Sequence, residues 1–210
     1  MRRILWLVLL LWLGCGGAAT AAPTKTVLVL GDSLSAAHNI AADQGWVHLL
    51  EVRLGQMEPG WTAINASISG ETSLSGRNRL PALLEKYRPG VVVLELGAND
   101  GLRGLPLAAL RENLASMIDA AQKAGARVLL LGIELPVNYG PQYRDGLRAV
   151  YRELSTQKRT ALVPFLLEGV ALDPALMQDD GLHPKAVGEP KVLENVWSAL
   201  NPLLKEHPKK

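Results

Sequence analysis

A serine, a histidine and a pair of aspartates stand where each could take part in nucleophilic catalysis. Ser33 follows an apolar run at residues 27–30, and His183 lies three residues after Asp180 in a loop bounded by glycine and proline. A serine hydroxyl is a weak nucleophile that needs a base within hydrogen-bond reach, and histidine has the unperturbed pKa nearest neutral pH. An aspartate nearby can accept from Nδ1 and leave Nε2 free for the serine. The pattern predicts Ser33 as nucleophile, His183 as base, and Asp180 or the adjacent Asp179 as the residue that orients the base.

Competing assignments come from the other three histidines and from the loop itself. His207 is in the C-terminal tail, His48 falls among core residues of a predicted helix, and His38, five residues past Ser33, has no evident neighbour to orient it. The loop could also be a helix N-terminus, with an aspartate as cap and Pro184 near the first helical position. That interpretation is compatible with catalysis.

Short apolar runs alternate with amphipathic segments along the rest of the chain. Strands that are apolar throughout and alternate with helices predict a parallel sheet covered on both faces. We therefore expect an α/β protein with a three-layer, flavodoxin-like fold, about five parallel strands and no internal domain boundary. The predicted strands are residues 27–30, 61–66, 91–96, 127–132 and 161–165, and the predicted helices are residues 45–54, 80–87, 106–124, 141–159 and 187–204.

Polar segments follow the predicted strands or precede the last helix, and ligands of such sheets bind beyond the carboxyl ends of the strands. They are GDSLS at 31–35, NASISGET at 65–72, GAND at 97–100 and DDGLHP at 179–184. The four segments resemble the four blocks of the GDSL, or SGNH, hydrolase family, and the resemblance runs from about residue 26 to about residue 204. Within that family the chain is most similar to the periplasmic group of multifunctional acyl-CoA thioesterases, proteases and lysophospholipases, also called arylesterases.

The resemblance implies a serine hydrolase that cleaves carboxylic esters and thioesters, such as fatty acyl thioesters, aryl esters and lysophospholipids. It favours Asp180 over Asp179, and it implies an oxyanion hole made of the Ser33 and Gly70 backbone N–H groups and the Asn99 side-chain amide. Glycine permits close backbone approach, and asparagine donates without carrying charge. Taken singly, Gly70 could be a turn residue and Asn99 an Asx turn. Ala98 departs from the pattern, because the group usually has a second glycine there; a methyl group fits if the backbone is not left-handed.

Two segments that follow strands, residues 101–107 and 133–143, are unusually apolar for exposed loops. We expect them to form the walls of an acyl groove. The expected substrate-binding residues are Leu102, Leu105, Leu107, Leu135, Pro136 and Tyr139. The alternative is that these side chains pack on the domain.

The N-terminus predicts an export signal. Two arginines precede an apolar run at residues 4–13, and Ala19-Thr20-Ala21 offers the small-x-small pattern that a signal peptidase reads. We expect cleavage after Ala21, which leaves residues 22–210 as one domain in the periplasm of a Gram-negative bacterium or outside the cell. A retained anchor is the alternative, although the run is shorter than the about 20 residues that span a bilayer. Cys15, the only cysteine, leaves with the signal unless it carries a lipid.

Composition and missing motifs exclude several other functions. Aromatic residues make up 5% of the chain, and the net charge falls from +2 to 0 when residues 1–21 are removed, which argues against a nucleic-acid partner. No G-x-S-x-G, P-loop or G-x-G-x-x-G motif occurs. We expect no metal and no organic cofactor, a small acyl ester or thioester as partner, transient contact with lipid at most, and a monomer. Alternatives are acyl transfer to a sugar, sugar-ester hydrolysis, and a non-catalytic binding module.

Overall fold

The computed structural model describes residues 24–205 of the chain, and its centre is a sheet of five parallel strands. The strands are β1 (Thr24–Gly31), β2 (Thr62–Asn65), β3 (Pro89–Glu95), β4 (Arg127–Leu131) and β5 (Ala161–Val163). Their spatial order is β2-β1-β3-β4-β5, the flavodoxin-like order, and every neighbouring pair is parallel. The predicted fold class is confirmed. The predicted signal peptide, Cys15 and His207 lie outside the described residues.

Helices cover both faces of the sheet, which is why the strands are apolar throughout. They are α1 (Trp46–Met57), α2 (Ser73–Tyr87), α3 (Ala98–Leu102), α4 (Leu107–Lys123), α5 (Pro141–Lys158) and α6 (Glu189–Lys205). Helices α1 and α6 pack together, whereas α4 packs against both α2 and α5. Residues 27–30 and 91–94 are fully buried between these layers. None of the helices in residues 24–205 is long and apolar enough to cross a membrane.

The structure corrects the sequence prediction at several element ends. Helix α2 begins at Ser73, where the Thr72 hydroxyl caps it by accepting from the Ser75 N–H, although only its second half was predicted. Helix α3 was missed because its five residues are too few to show a helical period. The last helix begins at Glu189, so Pro184 is not in its first turn, and the interpretation of the 179–184 loop as a helix start was wrong.

Two short 3₁₀ helices, Ala42–Gln44 and Val137–Tyr139, also lie near the carboxyl edge of the sheet. The second belongs to a segment that was expected to be a loop, and Leu102, expected in the other loop, lies in α3. Leu107 begins α4, as the predicted helix at 106–124 implied. Both segments therefore contain more regular structure than their composition predicts.

Candidate active site

Ser33, His183 and Asp180 form a continuous chain of hydrogen bonds at the carboxyl edge of the sheet. His183 Nε2 lies 2.9 Å from Ser33 Oγ, and His183 Nδ1 lies 2.7 Å from Asp180 Oδ2. The serine comes from the turn after β1 and the other two residues from the loop before α6, 150 residues later. In this geometry Nδ1 donates to the carboxylate and Nε2 faces the serine hydroxyl as acceptor.

Backbone contacts hold together the two ends of the loop that carries His183. Met177 and Pro184 form an antiparallel bridge, and the Gln178 N–H donates to the His183 carbonyl at 2.8 Å. Gly181 at the tip has a φ of +65°, a conformation that glycine adopts at little cost. The tight loop holds Asp180 and His183 in register although both lie near the surface.

The Asp180 carboxylate is fixed by hydrogen bonds on both oxygens. Its Oδ1 accepts from the backbone N–H groups of Leu182 at 2.9 Å and His183 at 3.0 Å. Partial burial raises the pKa of Asp180, but these N–H groups and the His183 ring outweigh that effect and lower the pKa to about 2. Asp179 makes no hydrogen bond or ion pair within residues 24–205. The structure thus places Asp180 beside His183, and Asp179 outside the network.

Two of the three expected oxyanion donors carry unpaired N–H groups. Within the described part of the chain, the backbone N–H groups of Ser33 and Gly70 have no acceptor. Gly70 has a φ of +81°, and a Cβ built on it meets nothing within 4 Å, so its backbone conformation rather than crowding requires glycine. Arg103 donates to the Gly70 carbonyl at 3.0 Å and steadies this loop.

The third expected donor, Asn99, already has partners. Its Nδ2 donates to Asp32 Oδ2 at 3.0 Å and to the Glu71 carbonyl at 3.1 Å, which joins the loops after β1 and β2. Asn99 also lines the cavity beside Ser33 and His183. To serve an oxyanion, an Asn99 N–H must therefore be shared with, or exchanged from, one of these acceptors.

Gly97 explains why alanine is tolerated at position 98, where the similar group usually has a second glycine. Gly97 has the positive φ, +126°, and a Cβ on it would lie 2.2 Å from the Tyr151 hydroxyl, so glycine is needed there. Ala98 is not among the residues with positive φ and begins α3. A methyl group fits at Ala98 because the left-handed turn is confined to Gly97.

An apolar cavity of about 100 Å³ opens beside the serine and histidine. Of the six expected groove residues, Leu102, Leu135 and Pro136 line it. The other three do not. Leu105 is 38% exposed, Leu107 packs towards Gly146 of α5, and the Tyr139 hydroxyl donates to the Leu102 carbonyl at 2.9 Å, which supports the wall from behind.

A second cavity, of about 710 Å³, shares part of the same wall. Both spaces are lined by the charged Glu134 and by five apolar residues, Leu135, Pro136, Phe165, Leu167 and Leu182. Phe165 and Leu182 were not among the expected groove residues. Phe165 ends the predicted strand at 161–165 and Leu182 lies within the segment at 179–184, and these positions are the signal that could have found them.

Sequence reasoning set aside or missed two titratable residues at the site. The His38 ring centroid is 4.3 Å from that of His183, and potential metal-ligand atoms of His38, Asp180 and His183 lie within 4.8 Å of one another. Glu95 is buried beside Asp32, whose backbone N–H donates to Glu95 Oε2 at 3.1 Å. The sequence did contain a signal for Glu95, because it is a single carboxylate at the end of an apolar strand. It contained no comparable signal for His38.

Comparisons of sequence and of structure with known proteins all match this chain to GDSL-like hydrolases. The model of the GDSL-like Lipase/Acylhydrolase family matches residues 29–189. The chain is 53% identical over 183 residues to esterase TesA of Pseudomonas aeruginosa, covering 87% of this chain and 91% of that protein. It is 40% identical over 184 residues to thioesterase 1/protease 1/lysophospholipase L1 of Escherichia coli K12, covering 88% and 87%. A crystal structure of TesA superposes with a TM-score of 0.83 at 53% identity, covering 85% of this chain and 99% of that one.

Proposed function

Because the chain belongs to the GDSL-like lipase/acylhydrolase family and is an ester hydrolase, we propose that it cleaves carboxylic esters and thioesters through an acyl-enzyme on Ser33. The observation that carries the proposal is the hydrogen-bonded series Asp180–His183–Ser33, with distances of 2.7 Å and 2.9 Å. Its order matches the requirement that a nucleophile contact a base and the base contact an orienting group.

The reaction follows from the direction of these hydrogen bonds. His183 Nε2 takes the proton of Ser33 as Oγ attacks the substrate carbonyl, and the Ser33 and Gly70 N–H groups, with Asn99, donate to the oxyanion that forms. The tetrahedral intermediate collapses, and the leaving alcohol or thiol departs with the proton from His183. Water, deprotonated by the same ring, then hydrolyses the ester bond to Ser33.

We propose that the apolar cavity beside Ser33 holds the acyl group. Its lining by Leu102, Leu135, Pro136 and Phe165 favours hydrocarbon over charged groups. Thioesters, aryl esters and lysophospholipids are the proposed substrates, and the Escherichia coli relative is named as a thioesterase and lysophospholipase. The adjoining cavity of about 710 Å³ offers space for the rest of a larger substrate.

A fluorophosphonate probe tests the proposal directly. It should label wild-type protein at Ser33, and Ser33→Ala should abolish labelling and lower turnover of p-nitrophenyl esters by several orders of magnitude, roughly the 10⁴–10⁶ typical of lost nucleophiles. Ser33→Ala leaves Ser35 and Ser69 in place as internal controls. Labelling at either of these serines, or full activity in the variant, would contradict the assignment of Ser33.

We also propose that the chain is exported to the periplasm of a Gram-negative bacterium and processed after Ala21. The basic start, the apolar run at residues 4–13 and the Ala19-Thr20-Ala21 pattern support this proposal. The intact mass of the exported protein should correspond to a chain beginning at Ala22. A lipid-modified Cys15 at the N-terminus would contradict it.

A further inference from the structure

Two fully buried carboxyl groups lie next to the reactive serine, and neither belongs to the hydrogen-bonded series of Ser33, His183 and Asp180. Asp32 precedes Ser33 and Glu95 ends β3, and both have 0% exposed surface. The sheet brings them together, because parallel pairing of β1 with β3 sets Gly31 opposite Glu95. A Cβ on Gly31 would lie 2.7 Å from Glu95 Oε2, so the glycine makes room for the acid.

The two acids cannot both be ionised at neutral pH without large cost. None of the salt bridges found among residues 24–205 involves Asp32 or Glu95, and the charge of His183 lowers the pKa of Asp32 without outweighing its burial. Burial raises the pKa of both groups, and the charge of Asp32 raises that of Glu95 further. Like charges that share a buried site behave as one unit that retains a proton.

The hydrogen bonds show which carboxyl group retains the proton. Asp32 accepts from the Leu34 N–H at 3.1 Å on Oδ1 and from Asn99 Nδ2 at 3.0 Å on Oδ2, so both of its oxygens are served by donors. Glu95 accepts from Ser35 Oγ at 2.8 Å and from the Asp32 N–H on Oε2, whereas its buried Oε1 has no donor among the described residues. A proton on Glu95 can be donated to Asp32, and this contact raises the pKa of Glu95 and lowers that of Asp32. The favoured state is neutral Glu95 beside anionic Asp32.

The charge on Asp32 strengthens one of the two hydrogen bonds that set how the Asn99 amide is turned. With Asp32 anionic, the amide nitrogen faces its carboxylate, because the flipped amide would set Oδ1 against a negative charge. The same nitrogen also donates to the Glu71 carbonyl, in the segment that carries Gly70. The proposed oxyanion donors are thus held in one arrangement by a residue that does not itself touch the substrate.

We propose that Asp32 and Glu95 share one proton and act together as positioning residues: neutral Glu95 supports anionic Asp32, and Asp32 holds the Asn99 amide with its nitrogen towards the oxyanion site. The catalytic consequence rests on the proposed function, whereas the protonation and the amide orientation do not.

Substitutions at Glu95 separate its proton from its volume. The amide of Glu95→Gln can accept from the Asp32 N–H and Ser35 Oγ with its oxygen and donate to Asp32 with its nitrogen, as the neutral acid does. Glu95→Ala removes both the acceptor and the donor and should lower kcat. Glu95→Gln keeps both and should retain most of the wild-type kcat. Activity in Glu95→Gln as low as in Glu95→Ala would show that a negative charge on Glu95 is required and would overturn the proposal.

Infrared spectroscopy tests the shared proton without any substrate. The probe is the C=O stretch of a protonated carboxyl group at pH about 8, measured in H₂O and D₂O. The Glu189→Gln variant is the background, because Glu189 is a second buried acid whose pKa is raised to about 7. The band should be present in this background and absent when Glu95→Gln is added. A spectrum unchanged by Glu95→Gln would mean that Glu95 is ionised and would overturn the shared proton.

Kinetics and NMR test the link from Asp32 to Asn99. Asparagine at position 32 presents a donor where Asp32 has an acceptor, so Asp32→Asn cannot accept from both Leu34 and Asn99. We expect kcat to fall about 10- to 100-fold with little change in KM, less than the roughly 10²–10³-fold loss for a missing oxyanion donor. Asp32→Asn should add little to Asn99→Ala, because both act on one donor. Fully additive losses would overturn the link.

Failure of the proposed esterase function can be distinguished from failure of the proposal for Asp32 and Glu95. If the wild type lacked esterase activity, the proposed function would fail, while the infrared band would still decide the shared proton. The ¹H–¹⁵N signals of the Asn99 side-chain amide would decide the link, since they should shift in Asp32→Asn. Unchanged Asn99 signals in a folded Asp32→Asn protein would overturn it.

Discussion

The rings of His38 and His183 are in contact, with their centroids 4.3 Å apart and their planes tilted by 39°. The segment that carries His38 is held unusually, because Ala37 and Asn39 on either side both have a φ of +56°. The Gln178 amide donates to the His38 carbonyl at 2.9 Å and to the Pro184 carbonyl at 2.8 Å, which ties this segment to the loop that carries His183. His38 therefore packs against the ring that we propose as the catalytic base.

Removing the His38 ring should slow the chemical step. Ring pairs contribute about 0.5–1.5 kcal/mol beyond their buried area, so His38→Ala should lower kcat about 2- to 10-fold with KM unchanged. His38→Phe keeps an aromatic ring and should retain most of kcat. Steady-state kinetics with one p-nitrophenyl ester measures both variants. Equal losses in Ala and Phe would show that the imidazole itself is needed.

Substitutions at Asp180 and at Asp179 should differ sharply in their effect on kcat. Asp180→Asn removes the negative charge that accepts from His183 Nδ1 and should lower kcat roughly 10³–10⁴-fold, as in comparable triads. Asp179→Asn is the matched neighbour and should have a mild effect. The reverse ranking would mean that the loop adopts another register during turnover.

The acyl cavity predicts a chain-length effect at Leu102. Each methylene that loses its contact costs about 0.8 kcal/mol, so Leu102→Ala should lower kcat/KM for longer p-nitrophenyl esters and spare the acetate. Leu105→Ala is the matched control, because Leu105 is 38% exposed and does not line the cavity. An equal loss at all chain lengths in Leu102→Ala would place the acyl group elsewhere.

Glu189 should make the protein less stable as the pH rises. Burial raises its pKa to about 7 against the opposing effect of the Trp46 N–H, which donates to Oε2 at 2.8 Å. Between the ordinary glutamate pKa and about 7, the native state binds more protons than the unfolded state, so the free energy of unfolding falls with rising pH, by ~3 kcal/mol in total. Denaturant unfolding at several pH values should show a flatter dependence in Glu189→Gln.

The exposed acid Glu51 on α1 supplies the control for that experiment. Glu51→Gln should keep the wild-type dependence of unfolding free energy on pH. If Glu189→Gln kept it as well, another group would be responsible for the slope.

Local patterns in the sequence were enough to predict the α/β architecture and the main site segments. Apolar runs alternating with helical periods predicted the parallel sheet, because a strand buried on both faces needs apolar side chains throughout. An aspartate beside His183 was also predictable from the short loop, although the spacing left Asp179 and Asp180 open and the family resemblance favoured Asp180. Helix α3 and the true start of α2 were missed, because five residues carry no period and Gly76 and Asn78 obscure the apolar face of α2.

The tertiary structure alone decided the contacts between residues distant along the chain. Residues 38 and 183 meet because Gln178 ties two loops together, and Asp32 and Glu95 meet because β3 pairs with β1 in one register. Asn99 was identifiable as a polar residue after a strand, but its engagement with Asp32 and Glu71 was not. Which loops adjoin depends on the spatial order of the strands, an outcome of packing the whole core, and no local stretch of sequence specifies it.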